Sequence, residues 1–359
     1  MANTDDKPAL KITLEDLAKV TVRQEPPRTR AATAAPGTAK QYGNIATPDP
    51  HTAIPDEGKS KFYMQGWFYL GIAGLLGALI GWAIGEPFFR SVEQHTSGNP
   101  FLTLLVIPLV VTFMCLGFSI AESIVERSLR KAWQHGALSL PLGLVFSVFF
   151  MLAGGLVFEV GKQISVALGV LTYKNPAFWV ARSLAWMVFA SAAGVVYGFV
   201  DRSVAKGRYG VLGAVIGGGI GGILFDPISM LTGTGGPSRA VGFALIGLAT
   251  GVAIGIVESA LKDRWLYVAA GPLAGKQFIL YKPVTMIGCT QQSDIYLFKD
   301  PSVEAQHASV ELRGAQTFLH ALGPVSISGQ PAWNRALESG DLIQIGRYAF
   351  HFRERQRNR

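Results

Sequence analysis

Six acidic residues recur at one kind of place in this 359-residue chain, the ends of long apolar segments: Glu86, Glu126, Glu159, Asp201, Asp226 and Glu258. A carboxylate there can anchor a helix end at a membrane interface or, when buried, carry an ion or a proton. All six stand at segment ends and none stands midway, so the sequence favours anchoring, with solvent or the adjacent Arg127 and Arg202 as counter-charge. The other reactive side chains do not assemble. His51, His95, His135, His307, His320 and His351 are scattered, with no His-x-x-x-His. Cys115 and Cys289 fall in different parts of the chain, so neither a disulfide nor a thiolate metal site is expected. No nucleophile–base pair, phosphate loop or carboxylate dyad stands out. The sequence therefore reads as a non-enzyme with no metal and no cofactor.

The elements that carry these acids are membrane-like. Charged residues make up only 16 % of the chain, against about 25 % in a soluble domain, and glycine supplies 42 residues. The charges crowd into the first 62 residues and the last hundred or so. Between them lie six apolar segments long enough to span a bilayer, at 64–85, 101–123, 137–158, 177–199, 209–229 and 239–258. Arg127, Arg130 and Lys131 follow the second segment, Arg202, Lys206 and Arg208 the fourth, and Lys262 and Arg264 the sixth, while Lys59 and Lys61 precede the first. The alternate loops carry fewer cations: Arg90, then Lys162 and Lys174, then Arg239. This bias places both termini in the cytoplasm, with a bacterial inner membrane as the expected setting. The net charge of +8 is explained by anionic lipid, so no nucleic-acid partner is expected.

The first long apolar run begins near Gly66, too late for a cleaved leader. Residues 21–60, rich in Pro, Ala, Thr and Gly, read as part of a disordered cytoplasmic tail spanning 1–62. Within it Ile12, Leu14, Leu17 and Val20 form an approximate helical stripe, with Thr13 as cap and Asp16 three residues on. That stripe is either a nascent helix or a docking motif.

The helical region, 63–260, repeats in pairs. SIAESIVE (119–126), GVVYGFVD (194–201) and GVAIGIVE (251–258) share two small residues four apart, then a valine and an acid. GGLVFE (154–159) and GGILFD (221–226) match each other, with GWAIGE (81–86) a looser copy. Three tandem helical hairpins result. Their acids form at most two rings, Glu86, Glu159 and Asp226 at one end and Glu126, Asp201 and Glu258 at the other. Glycines spaced by four (Gly77, Gly81, Gly85; Gly213, Gly217, Gly221; Gly247, Gly251, Gly255) put a smooth stripe on three helices, which predicts close backbone packing.

From residue 265 to 355 short β-prone runs follow: LYVAA, QFILY, VTMIG, IYL, ASVEL, FLHAL, VSI, LIQIG and YAFHF, divided by turn residues. They predict an antiparallel β-sandwich. The series Ile287-Gly288, Asp294-Ile295-x-Leu297, Val303-x-x-x-His307-Ala308 and Leu337-x-x-Gly340-Asp341-x-Ile343-x-Ile345-Gly346 resembles the forkhead-associated (FHA) family. The resemblance implies an eleven-stranded sandwich whose apical loops grip phosphothreonine through an arginine, a serine and an asparagine. Cys289 stands for that arginine and Glu304 for that serine, and the asparagine loop is shortened to Gly323–Gly329. A thiol cannot supply the charge-assisted bonds, and an ionised Glu304 repels phosphate, by about 4 kcal/mol at 4 Å and an effective dielectric near 20. Arg313, Arg335 or Arg347 would have to compensate.

The resemblance leaves Gly288, Cys289, Thr290, Ser293, Glu304, Gln306, His307 and Ser326 as the residues expected around a bound peptide, with Gly288 a backbone requirement and His307 a brace for the loops. The expected function is a membrane-anchored scaffold or signalling protein presenting a divergent FHA domain to a cytoplasmic protein or peptide. That peptide could be phosphorylated, unmodified, or the chain's own threonine-bearing tail. The alternative is a channel or transporter regulated by the domain.

Overall fold

The computed structural model describes residues 62–93, 104–169, 175–232, 235–298 and 300–355. The tail, with its stripe at Ile12–Val20 and its lysines Lys59 and Lys61, lies outside the described residues, as do His51, His95 and Lys174.

Six helices come first: α1 Gly66–Glu93, α2 Val106–Val125, α3 Leu129–Ala167, α4 Pro176–Val200, α5 Val204–Thr232 and α6 Gly236–Leu261. Each is long and apolar enough to cross a membrane. Each packs on the next and α6 packs back on α1, closing a ring. The glycine stripes are where the ring is tightest. A Cβ on Gly247, Gly251 or Gly255 would strike the α1 backbone at Gly74, Leu70 or Trp67. Gly213, Gly217 and Gly221 meet α6 in the same way at Ile254, Thr250 and Ile246. Where lipid supplies no hydrophobic drive, such backbone approach is a main source of helix attraction.

Two of the helix connections are the same three-residue device. After α2, Arg127 adopts a left-handed φ of 58°, and Ser128 N–H donates to the Ser123 carbonyl at 2.9 Å. The Ser128 hydroxyl then caps α3 by accepting from Lys131 N–H at 3.4 Å. After α4, Arg202 (φ 53°) and Ser203 repeat each step, with Ser203 N–H on the Gly198 carbonyl and the Ser203 hydroxyl accepting from Lys206 N–H at 3.2 Å. One helix is thus closed by a six-to-one bond and the next opened by a serine cap, without a glycine. The cap at Ser128 starts α3 eight residues before the apolar run expected at 137. At 39 residues the helix is about 58 Å long, well beyond a hydrocarbon core of about 30 Å.

Only Lys262 and Asp263 separate α6 from the β-domain. Its strands are β1 Arg264–Ala270, β2 Gln277–Ile279, β3 Val284–Gly288, β4 Ile295–Tyr296, β5 Ala308–Arg313, β6 Gln316–Ala321, β7 Val325–Ile327, β8 Gln330–Pro331, β9 Asn334–Ala336, β10 Leu342–Ile345 and β11 Tyr348–Glu354. They form two sheets, in the orders β2-β1-β11-β10-β7-β8 and β4-β3-β5-β6-β9. Alternate residues such as Leu266, Val268, Ile287, Val310, Leu319, Ile343 and Phe350 fill the space between the sheets. The resemblance's eleven-stranded sandwich is what is found. One pairing departs from the antiparallel expectation, since β3 and β4 run parallel. The short strands β8 and β9 carry no apolar alternation that would have revealed them.

Candidate functional site

The apical loops of the sandwich bring most of the expected peptide-facing residues together. Gly288 ends β3, and a Cβ there would collide with the Ala305 carbonyl, so glycine lets the β4–β5 loop lie against the strand. Cys289 N–H donates to the Glu304 carbonyl at 2.9 Å, which makes the positions of the family's arginine and serine neighbours. The Thr290 and Ser293 hydroxyls lie 3.0 Å apart and both donate to the Ala305 carbonyl. His307 is fully buried beneath them. Its Nδ1 accepts from Glu304 N–H at 3.0 Å, which leaves Nε2–H to donate to the Pro324 carbonyl at 3.0 Å. The ring is therefore the neutral Nε2–H tautomer, and it ties the β4–β5 loop to the β6–β7 loop. Gly323 lies against that ring so closely that any side chain there would displace it.

Glu304 and Gln306 are exposed, and the Glu304 carboxylate has no ion-pair partner among the described residues. Cys289 is half-buried against the core. Leu322 (57 % exposed) and Trp333 (65 %) border the same surface, tied to it by Leu322 N–H on the His307 carbonyl and by Ala321 N–H on the Trp333 carbonyl. Ser326 lies on the strand that the β-prone run VSI indicated. It is a β7 strand residue opposite Gln344 and Pro331, because the centre of Gly323–Gly329 is the strand Val325–Ile327, closing in a hairpin turn at Ser328 (φ 51°) and Gly329 (φ 83°). The β6–β7 loop is only Leu322–Pro324. Two of the arginines that would have to compensate are engaged elsewhere: Arg313 with Glu311 at 2.8 Å, and Arg347 with the Phe298 carbonyl at 3.3 Å.

The β3–β4 loop also touches the helices. Arg130 N–H donates to the Gln291 side chain at 3.0 Å, and Lys131 Nζ to the Asp294 carbonyl at 3.3 Å. Arg127 stacks over the Phe298 ring, 5.5 Å from its centre. The α2–α3 turn is thus seated on one side of the loops where a peptide was expected.

Below this contact the acids of the helix ends gather, but not as solvated groups and not on Arg127 or Arg202. Glu126 pairs with Lys131 at 3.1 Å and with Lys276 at 2.7 Å, and Asp201 pairs with Lys206. Lys206 also reaches Glu122 at 2.5 Å, and lies 4.2 Å from the centre of the Tyr197 ring. Arg127 and Arg202 are the left-handed turn residues, and their geometry turns them away. The lysine five residues after each acid, brought back by the serine cap, is the partner instead. Glu258 has no lysine at that spacing. Its Oε2 accepts from the Tyr197 hydroxyl at 3.4 Å, and its buried Oε1 has no hydrogen-bond partner among the described residues. Lys276, from the β1–β2 connection, supplies the third lysine of the cluster, so the sandwich contributes a buried charge to the helical ring. Glu258, Glu122, Lys206 and Tyr281 line a cavity of about 180 Å³ at this junction. Glu122 and Lys276 were not singled out by sequence; the four-residue spacing of Glu122 and Glu126 was the available sign.

The other three acids do not form a ring. Glu86 is buried and accepts from Trp82 Nε1 at 2.8 Å and Arg239 Nη2 at 2.9 Å, with Arg90 Nε at 3.4 Å. Asp226 pairs separately with Arg182. Glu159 lies on the exposed side of α3 with Lys162 at 2.5 Å and Gln163 at 2.9 Å. The long, outward-facing α3 carries Glu159 away from a shared site.

No family model matches the chain. The chain is 33 % identical over 90 residues to the glycogen accumulation regulator GarA of Mycolicibacterium smegmatis, covering 24 % of this chain and 56 % of that protein. It is 32 % identical over 90 residues to the oxoglutarate dehydrogenase inhibitor of Corynebacterium efficiens, covering 24 % of this chain and 63 % of that protein. The chain therefore spans less than two thirds of the length of these relatives. Among solved structures, the FHA domain of the CT664 protein from Chlamydia trachomatis aligns with 26 % of this chain and all of its own, at 22 % identity and a TM-score of 0.25. The C-terminal sandwich resembles FHA domains.

Proposed function

We propose that this protein is a membrane-anchored interaction protein, held in the bilayer by six helices with both termini in the cytoplasm. Its FHA-like domain receives a protein segment without requiring a phosphate on it. The observation that carries this reading is the unpaired, exposed carboxylate of Glu304 beside Cys289, where the resemblance puts the groups that grip phosphothreonine. A segment bearing a basic residue and an apolar one suits Glu304 together with Leu322 and Trp333. Relatives named as a regulator and as an enzyme inhibitor support a protein as the partner. The reading gives the chain no catalytic step, no metal and no nucleic acid.

The test is calorimetry on the full chain in detergent with matched peptide pairs, including peptides copied from around Thr29, Thr33, Thr38 and Thr47. Phosphorylation is expected to leave affinity unchanged or lower it. Cys289→Arg with Glu304→Ser should recover a preference for phosphate. Micromolar, phosphate-dependent binding by the wild type would overturn the reading.

A second reading, a channel or transporter governed by the domain, is supported by the buried Lys206 and Glu258 at the junction cavity. Ion or solute flux in liposomes holding the purified chain would favour it over anchoring.

A further inference from the structure

At the end of the ring that carries the sandwich, an apolar groove of about 750 Å³ runs between α4 and α5. Val195, Phe199, Val211 and Val215 line it, and it exists because Gly198 and Gly207 bring the two backbones together without side chains between them. Phe199 and Val204 are exposed there, so the groove opens to the outside of the ring, where a spanning helix meets lipid.

Its mouth is not apolar. Arg202 and Arg208 stand on it, both exposed. Among the described residues, neither guanidinium has a hydrogen bond, an ion pair or a ring contact. This contrasts with Lys131 and Lys206 at the same end, each of which is matched to an acid. Arg202 occupies the left-handed turn, and the adjacent Asp201 pairs with Lys206 instead. Two unmatched guanidinium groups therefore cap an apolar groove where α4 ends and α5 begins.

We propose that this groove is a binding site for an anionic diacyl phospholipid, with acyl chain against Val195, Phe199, Val211 and Val215 and the headgroup phosphate between Arg202 and Arg208. Guanidinium forks match phosphate oxygens in pairs, and basic pockets between helices at the cytoplasmic face favour anionic over zwitterionic lipid. The site rests on the helices spanning a bilayer. Extraction of the chain from membranes only by detergent checks that premise independently of which lipid is bound.

The experiment is native mass spectrometry on the full chain in detergent, titrated with phosphatidylglycerol and phosphatidylcholine of identical acyl chains. Phosphatidylglycerol should be retained about tenfold better, because phosphatidylcholine has the same phosphate but its choline cation opposes the two guanidinium groups. Arg202→Gln with Arg208→Gln should bring it down to the phosphatidylcholine level. Because both side chains are exposed, the double variant should keep the thermal stability of the wild type. Val211→Trp, which fills the groove and leaves both arginines, should reduce retention of phosphatidylglycerol as well. Equal retention of the two lipids by the wild type, or a double variant that still prefers phosphatidylglycerol, would overturn the proposal. So would displacement of bound lipid by millimolar inorganic phosphate, which would show an anion site that makes no use of the groove.

Discussion

Asp300 lies in the connection between β4 and β5 and holds that loop in place. Its Oδ1 accepts from the Ser302 hydroxyl at 2.6 Å and Ser302 N–H at 3.0 Å, and its Oδ2 from Arg347 N–H at 2.8 Å. Burial works to raise its pKa, but the Arg347 and Ser302 bonds outweigh burial and hold the carboxyl below its ordinary value. A depressed folded-state pKa means stability that is present above the unfolded value, near 3.9, and lost as pH falls through the lower folded one. Asp300→Asn should therefore cost about 1–3 kcal/mol at pH 7, and the gap from wild type should narrow below about pH 4. Urea titration of the full chain at pH 7 and pH 3.5, followed by the tryptophan signal, checks this. A gap independent of pH would show that shape, not charge, is what the loop needs. The residue scale was only partly legible in the chain. Gly288, Cys289, Glu304 and His307 were singled out only by the family resemblance, whose motif runs through the strands beside them. The strand under Ser326 was legible in VSI, but the tight turn at Ser328 and Gly329 and the return strand Gln330–Pro331 were not, because two residues carry no alternation.

The helical hairpins show the same division among the elements. Their existence followed from hydropathy, and their glycine stripes from four-residue spacing, since both are properties of one helix. The partners of the acids were misread because a turn decides them. In Glu126-Arg127-Ser128 and Asp201-Arg202-Ser203 the adjacent arginine is the natural guess, yet it occupies the left-handed position and the lysine beyond the cap closes the pair. The repeated acid-Arg-Ser-x-x-Lys string was visible, but its meaning depends on backbone geometry. The stripes give a sharper expectation. Gly251→Leu or Gly255→Leu would drive a side chain into the α1 backbone and should cost about 1–3 kcal/mol or more. Gly155 is helical with open space around it, so Gly155→Leu is the matched control. Gly314 serves poorly, since its φ of 57° strains any side chain. Equal melting temperatures for Gly251→Leu and Gly155→Leu in detergent would contradict the α1–α6 contact.

For the whole molecule, what matters is that the sandwich does not hang free. Arg355 N–H bonds the Asp263 carbonyl at 2.8 Å and the Arg355 guanidinium the Ala260 carbonyl at 3.1 Å, so the last strand clasps the end of α6. Lys276 then enters the acids of the helix ends, where it and Glu126 are almost completely buried. A buried pair is costly to break by removing one partner, by about 3–5 kcal/mol, because the remaining charge stays behind unsolvated. Removing both charges can cost far less. Lys276→Met alone should therefore loosen the sandwich, seen as faster amide exchange through β1, β2 and the last turn of α6. Adding Glu126→Gln should restore much of the protection. The four proteins of this cycle, compared by exchange in detergent, should give strongly non-additive changes. Additive changes would mean that Lys276 contributes only its packing, and that the sandwich and the helices are joined by the two-residue linker, the Arg355 clasp and the contacts of the α2–α3 turn. Strong coupling would mean that whatever binds at Glu304 acts on a domain already fastened to the membrane helices, so binding and the helix ends share one free energy.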